Sequence, residues 1–227
     1  MALVVSRNVE KYEDIYKRGH DKSYPTLDLV RLESWYFKGQ PGKAIDYAFG
    51  TGINTIHLLK RGYSVTGIEA APEAIKIAER KLAEMPELKD RADLILIGLD
   101  DERLPLEDAS YDYVVCMSVL SLLESKERIQ KLIAEFHRVL KPGGKMIIDV
   151  NGPQGDFAAK GRFVGDDTYE YTLREHHKEG LLCYCPQTKE AFGKLFGDGW
   201  VVDDLGMVAF SYMGCDELEF IACVHKV

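Results

Sequence analysis

Two acids separated by a run of small residues are the part of this chain best suited to chemistry. Asp46 closes the apolar stretch Ala44-Ile45, the turn Ala48-Phe49-Gly50-Thr51-Gly52 follows, and after a helical stretch Glu69 closes a second apolar run. Gly50 and Gly52 let the main chain turn sharply and approach a ligand with no Cβ in the way. Ala48 is the smallest substitute for a third glycine. Asp46, at a strand end, can accept hydrogen bonds or face a cation, and Glu69 can grip both hydroxyls of a ribose. Strand, glycine loop, helix, strand and terminal acid together bind an adenosine-containing ligand at the carboxyl edge of a parallel sheet. A nicotinamide or flavin dehydrogenase uses similar parts. Its third glycine or alanine would fall in the helix, where this chain has Asn54 and Thr55, and here the acid Asp46 precedes the loop.

The elements that position these residues continue downstream. Ala92 to Ile97 is an apolar run ending in Gly98-Leu99-Asp100-Asp101, then come the Leu104-Pro105-Leu106 turn and the strand-like Ser110 to Met117. From Glu124 to Leu140 the apolar residues Ile129, Leu132, Ile133, Phe136 and Leu140 recur with a helical period. Lys141-Pro142-Gly143-Gly144 stops that helix and starts a turn into the strand Lys145 to Val150.

The first block, Asp46-Tyr47-Ala48-Phe49-Gly50-Thr51-Gly52 with Glu69, resembles the first two motifs of the class I S-adenosylmethionine-dependent methyltransferases. In that family the first motif usually reads acid-x-Gly-x-Gly-x-Gly, so Ala48 replaces its first glycine while keeping the position small. Arg138-Val139-Leu140-Lys141-Pro142-Gly143-Gly144 before the fifth strand closely resembles the same family and is foreign to dehydrogenases. The resemblance covers about residues 40 to 150 and implies S-adenosyl-L-methionine as cofactor, with S-adenosyl-L-homocysteine as product. It further implies that Asp100, by its offset from Leu104-Pro105, accepts from the adenine amino group, with Asp101 as the alternative. The backbone at Asp101 would meet the ring nitrogen, and Leu99 and Ala70 would pack on the ring faces. Met117 after the fourth strand joins this set, and Tyr24, early in the N-terminal cap, is the candidate for the methionine part.

The implied fold is α/β: a Rossmann-like, mostly parallel sheet of seven strands with helices on both faces and an antiparallel C-terminal hairpin. Residues 1–227 read as one domain. Its parts are a helical cap (1–40), a cofactor-binding core (41–150), a flap insertion (151–187) and a C-terminal helix with antiparallel strands (188–227). In the cap, Val9 to Lys17 reads as a short helix and Pro25 starts a second one. In the flap, Thr168 to Arg174 and Leu181 to Cys185 read as two strands of a hairpin. Thr188 then caps a helix running to about Phe196, and Trp200 to Leu205 and Glu217 to Val224 close the sheet.

Methyl transfer from a sulfonium is an in-line displacement whose thioether leaving group needs no acid, so the protein's tasks are alignment and water exclusion. No catalytic motif is required, and no catalytic residue is assigned. The acceptor pocket is expected from Ser118 beside Met117, from Asn151, from Tyr16, His20 and Tyr24 of the cap, and from Arg174, His176 and His177 of the flap. The 227 residues suffice for a full α/β core. A net charge of −8, without a dense basic run, argues against nucleic acid as partner. Met1 to Val5 is too short for a signal sequence and no stretch is apolar enough to cross a bilayer. Five cysteines without a framework spacing read as reduced thiols in a cytoplasmic protein. Cys183 and Cys185 fit no zinc spacing, so no metal is assigned.

The primary reading is therefore a methyltransferase acting on oxygen or nitrogen of a small molecule. A weaker likeness, through Ser23-Tyr24-Pro25 and the flap, is to small methyltransferases that modify sugars or related metabolites. The alternatives are a methyltransferase acting on protein or RNA and a non-catalytic module that senses the cofactor or its product. Asn-Pro-Pro-Tyr, the signature of many amino-directed enzymes, is absent where Met117-Ser118-Val119-Leu120 stands. His57 and His137 fall at the edges of helical stripes and read as packing residues. Tyr12, Trp35, Tyr36 and Phe37 form either a pocket wall or cap packing, and the acid pairs Asp166-Asp167 and Asp203-Asp204 read as loops or strand ends. If Glu69 holds the ribose, Glu69→Ala weakens cofactor binding by about 1–3 kcal/mol, and calorimetry showing unchanged affinity overturns the role.

Overall fold

Short apolar runs separated by stretches of helical period bury themselves most simply as a parallel sheet covered by helices. The computed structural model describes residues 1–172 and 180–227. Two helices come first, α1 (Ser6–Lys17) and α2 (Leu27–Trp35). Strands and helices then alternate through β1 (Lys43–Tyr47), α3 (Ile53–Lys60), β2 (Ser64–Glu69), α4 (Pro72–Ala83), α5 (Pro86–Lys89), β3 (Ala92–Leu96), β4 (Tyr111–Cys116), α6 (Lys126–Val139) and β5 (Leu140–Asn151). The insertion follows as α7 (Asp156–Lys160), β6 (Arg162–Gly165), β7 (Thr168–Tyr171) and β8 (Leu181–Tyr184). The chain finishes with α8 (Lys189–Gly193) and the long hairpin β9 (Trp200–Tyr212) and β10 (Cys215–Lys226).

The main sheet has seven strands in the order β3-β2-β1-β4-β5-β10-β9. The first five are parallel, and β10 and β9 are antiparallel to their neighbours. This is the architecture the resemblance implies. Chain order reverses between β1 and β4, so a crevice opens at their carboxyl ends. Side chains alternate between the two faces of each strand. Ile45, Val114 and Ile148 pack against Ile129, Leu132 and Phe136 of α6 and Phe192 of α8. Ala44, Val115 and Ile147 pack against Leu29 of α2, Phe37, and Ile56 and Leu59 of α3. The α6 stripe is the expected one, capped by Ser125, whose Oγ accepts from the Arg128 N–H.

Several boundaries differ from expectation, each for a local reason. Helix α2 starts after Pro25, because Thr26 takes the N-cap position with extended ψ and exchanges hydrogen bonds with Asn54. Lys141 to Gly144 belong to β5 rather than to a turn before it. They bulge out between the pairs Tyr111↔Leu140 and Tyr113↔Lys145, and Lys141 is tied to Asp112. Helix α8 keeps its Thr188 cap, with Oγ1 accepting from the Ala191 N–H, yet ends at Gly193. The flap is a separate three-stranded antiparallel sheet, not a two-stranded hairpin. Strand β6 escaped notice because it is short and exposed, with no buried alternation to mark it. Asp166 and Asp167 both have positive φ and form the two-residue turn between β6 and β7, the geometry a tight hairpin needs. Asp203 and Asp204 lie inside β9, where Asp203 accepts from Tyr36 and pairs with His225.

The loop after β1 is strained at one position. Ala48, Gly50 and Gly52 have φ of 56°, 59° and 82°. Glycine takes this left-handed conformation freely, whereas alanine pays roughly 1–2 kcal/mol. The first position of the motif therefore asks for glycine on backbone grounds as well as for small size. Ala48→Gly is expected to stabilise the fold by about 0.5–1 kcal/mol, after the added flexibility of the unfolded chain is subtracted. Urea denaturation of the two proteins checks this.

Candidate functional site

At the carboxyl ends of β1, β2 and β4 lies a cavity enclosing about 650 Å³ of empty space, part of it open to solvent. Its floor is Tyr47, Ala48, Ile68, Glu69, Ala70 and Ala71, one wall is Ser118, Val119, Leu122 and Leu123, and Ile97 closes the side toward β3. Its roof is Val4 and Val5 together with Asn8, Val9, Tyr12 and Tyr16 of α1. Long-range hydrogen bonds hold the roof down. The Leu3 N–H donates to the Asp101 carbonyl, Tyr47 Oη donates to the Leu3 carbonyl, and Asn8 Nδ2 donates to the Leu122 carbonyl.

Glu69 is the hub. Its Oε2 accepts from the Gly50 N–H at 2.8 Å, and its Oε1 accepts from the Ala70 and Ala71 N–H groups at 2.8 and 3.0 Å. A carboxylate offers about four acceptor positions, so one remains for a ligand hydroxyl. Burial pushes the Glu69 carboxyl above its ordinary value, and the three N–H donors oppose that shift. Asp46 lies fully buried beneath the loop, its Oδ2 accepting from Thr55 Oγ1 at 2.6 Å. The acid thus anchors the first turn of α3. Gly50 leaves space that Tyr16 Oη borders, since a Cβ there would stand 3.1 Å from it. At Gly52 a Cβ would meet Ala78 of α4 at 2.8 Å, so this glycine also lets α4 pack closely.

The expected site residues are distributed unevenly. Ala48, Glu69 and Ala70 line the cavity; Gly50 and Gly52 lie in the loop that Ala48 begins, and Asp46 lies at the end of β1 beneath that loop. Met117 is buried in the core beneath β4, and its neighbour Ser118 is the residue that reaches the cavity. Leu99, Asp100 and Asp101 sit on the exposed loop after β3. The Asp101 carboxylate accepts from the Gly98 N–H at 2.7 Å, while Asp100 makes no hydrogen bond or ion pair among the described residues. Tyr24 is 67% exposed and outside the cavity lining, whereas Tyr16 is in it. His20 is exposed, with its ring 6.2 Å from that of Tyr16. Asn151 donates its N–H to Ser121 Oγ. Arg174, His176 and His177 lie outside the described residues. Of the four cap aromatics, Tyr12 joins the roof, Phe37 joins the core and Trp35 points outward.

Sequence reading missed most of the roof. The signal was present: Val5, Val9, Tyr12 and Tyr16 recur at helical spacing and form one face. Burial raises the Tyr12 phenol to about 12, with the Cys183 thiol adding to the shift. Burial likewise raises Tyr16, with Glu69 adding to it. Both phenols are neutral hydrogen-bonding groups at physiological pH. The cavity therefore combines apolar walls, the neutral phenols of Tyr12, Tyr16 and Tyr47, and one carboxylate. It suits a ligand with an apolar or aromatic body, hydroxyls that can donate, and positive rather than negative charge. A nucleoside bearing a sulfonium has these properties.

Comparison with known proteins agrees with this geometry. Residues 45–148 match a family described as a methyltransferase domain. The chain is 28% identical over 168 residues to the demethylmenaquinone methyltransferase of Tropheryma whipplei (strain Twist), covering 73% of this chain and 63% of that protein. It is 29% identical over 113 residues to the putative methyltransferase YqeM of Bacillus subtilis (strain 168), covering 49% and 43% respectively. The chain thus spans less than two thirds of the length of these curated relatives. Among solved structures, it superposes with a TM-score of 0.67 on the Burkholderia thailandensis 1,6-didemethyltoxoflavin-N1-methyltransferase, bound to 1,6-didemethyltoxoflavin and S-adenosylhomocysteine. That match has 19% identity and covers 98% of this chain and 86% of that one.

Burial of Asp46 has a measurable consequence. Desolvation raises its carboxyl from 3.8 to about 7, with Glu69 adding to the shift and Thr55 opposing it. Folding therefore favours the protonated acid. This penalty is absent below pH 4, grows as pH rises through the window from about 4 to 7, and is constant above it. Asp46→Asn is expected to remove that decline and to be more stable above pH 7 by on the order of a few kcal/mol, read from denaturation midpoints across the window.

Proposed function

Because this chain carries a class I S-adenosylmethionine-dependent methyltransferase domain, we propose that the protein transfers a methyl group to oxygen or nitrogen of a small-molecule acceptor. The observation that carries this reading is the left-handed loop of Ala48, Gly50 and Gly52, tied by the Gly50 N–H to Glu69 beneath an apolar cavity. Bound S-adenosylmethionine would supply a methyl on a sulfonium, which a nucleophile can take with the electron pair of the broken bond leaving on sulfur. The chain's own residues would do the rest. The free acceptor position on Glu69 would take a ribose hydroxyl. Ala70, Ile97 and Val4 would enclose the base, and Asp100, with its carboxylate uncommitted, is the group to meet its amino edge. Tyr12 and Tyr16 would lie over the ligand as neutral rings and exclude water.

A small acceptor is supported by the limited size of the cavity and by the net charge of −8, which disfavours a polyanion. Two proteins similar to this chain carry small acceptors in their names, a demethylmenaquinone and a toxoflavin precursor. Among the described residues no helix is long and apolar enough to cross a membrane. The buried free thiols Cys116, Cys183, Cys185 and Cys223 support a reducing, cytoplasmic setting. Incubation with methyl-labelled cofactor and a size-fractionated cell extract is expected to place label in the low-mass fraction. Label in protein or RNA alone overturns the small-acceptor reading.

A further inference from the structure

Beside the cofactor cavity, the end of β5 carries a buried acid that the loop chemistry does not use. Asp149 is 1% exposed. Its Oδ1 accepts from the Ser118 N–H at 2.6 Å, which holds Ser118, a cavity-wall residue, at a φ of 61°. Its Oδ2 is buried with no hydrogen-bond partner among the described residues. A polar oxygen left so costs about 1–3 kcal/mol or more if charged, so its retention calls for a proton or a ligand. A second acid stands alongside. Asp149 pairs across the sheet with Ile221, and Glu219, two residues along β10, is its diagonal neighbour on the same face. Glu217 lies one further step along that face. From the cap, Asp28 at the start of α2 adds negative charge and Lys22 adds positive charge to both Asp149 and Glu219.

Resting on the methyltransferase reading, we propose that Asp149 and Glu219 form the proton-accepting wall of the acceptor site, which selects an acceptor whose nucleophile is an N–H or O–H group. Burial raises both carboxyls; Glu219 and Asp28 add to the rise of Asp149, and Glu217 and Asp28 add to that of Glu219. Burial and this concentration of negative charge disfavour ionising all of these acids together, so a proton offered to Asp149 is held readily. As the acceptor's lone pair forms its bond to the methyl carbon, the N–H or O–H bond breaks and its proton passes to Asp149 Oδ2. Asp149 then returns that proton to solvent. A thiol is at a disadvantage here: its S–H is only a weak hydrogen-bond donor to the carboxylate oxygens, and once ionised it is repelled by negative charge.

The full chain saturated with S-adenosylhomocysteine is titrated by calorimetry with benzylamine, benzyl alcohol and benzyl mercaptan. Benzylamine and benzyl alcohol are expected to bind at least about tenfold more tightly than the mercaptan, and Glu219→Gln and Asp149→Asn are each expected to erase the difference. With labelled S-adenosylmethionine, Asp149→Asn is expected to lower transfer to N–H and O–H acceptors about 100-fold at unchanged cofactor affinity. If Asp149→Asn does not fold, Glu219→Gln decides by the same binding readout. Equal or tighter mercaptan binding, binding of none of the three, or unchanged selectivity in the folded variant overturns the assignment. Failure of the unsubstituted chain to bind either cofactor form overturns the methyltransferase reading itself, and the acceptor assignment with it.

Discussion

The Glu69 carboxylate receives three main-chain N–H groups, one from the loop after β1 and two from its own strand end. That convergence, together with the Ala48 N–H donating to the Ile68 carbonyl, fixes the relative position of the two loops. It also satisfies donors that would be orphaned, since loop N–H groups at a buried strand end find neither ladder nor water. With the loop pinned, left-handed backbone at Ala48, Gly50 and Gly52 becomes tolerable, and Asp46 beneath it can be fully desolvated against Thr55. The site is thus organised by a cavity-lining carboxylate that is also the structural clasp of its own loop.

The roof depends on this floor. Helix α1 presents Val9, Tyr12 and Tyr16 to the cavity, and its approach is limited at Gly50, where any side chain would run into Tyr16. Further contacts steady the helix from both ends. The Glu73 N–H of α4 donates to Glu13, and Arg128 of α6 donates to the Ala2 and Val4 carbonyls. Burial keeps the two phenols neutral, so the charge inside the cavity comes from Glu69. This electrostatic arrangement, one anion among apolar and neutral polar groups, favours a cationic ligand over a phosphate-bearing one without any basic residue having to be excluded.

Charge and burial also divide the molecule's acids into two kinds. Asp108, Asp112 and Glu135 pair with Arg138 or Lys141 near the surface, and such pairs brace loops at little net gain. Asp46, Glu69 and Asp149 lie at or near strand ends, buried and, among the described residues, without an ion pair. Desolvation is tolerated there because main-chain N–H groups or a hydroxyl meet them. The carboxyl edge of the sheet is where such donors are left over, which is why these three buried acids stand there.

What the sequence determined by itself is local. The order of strands and helices, the glycine loop, the acids at both strand ends and the α6 stripe are written in residues close together in the chain, where period and turn chemistry act directly. Strand β6 and the true extent of β5 were less legible because neither carries a buried alternation. Tertiary structure alone decided which groups share a cavity. Tyr16 rather than the exposed Tyr24 reaches it, Ser118 rather than Met117 faces it, and Val4 and Val5 cover it, because these outcomes depend on how α1 docks across residues more than a hundred positions away. Asp149 belongs to the same class. Its pairing with Ser118 and its neighbour Glu219 arise only when β4, β5 and β10 lie side by side, and no spacing along the chain encodes the desolvation that follows.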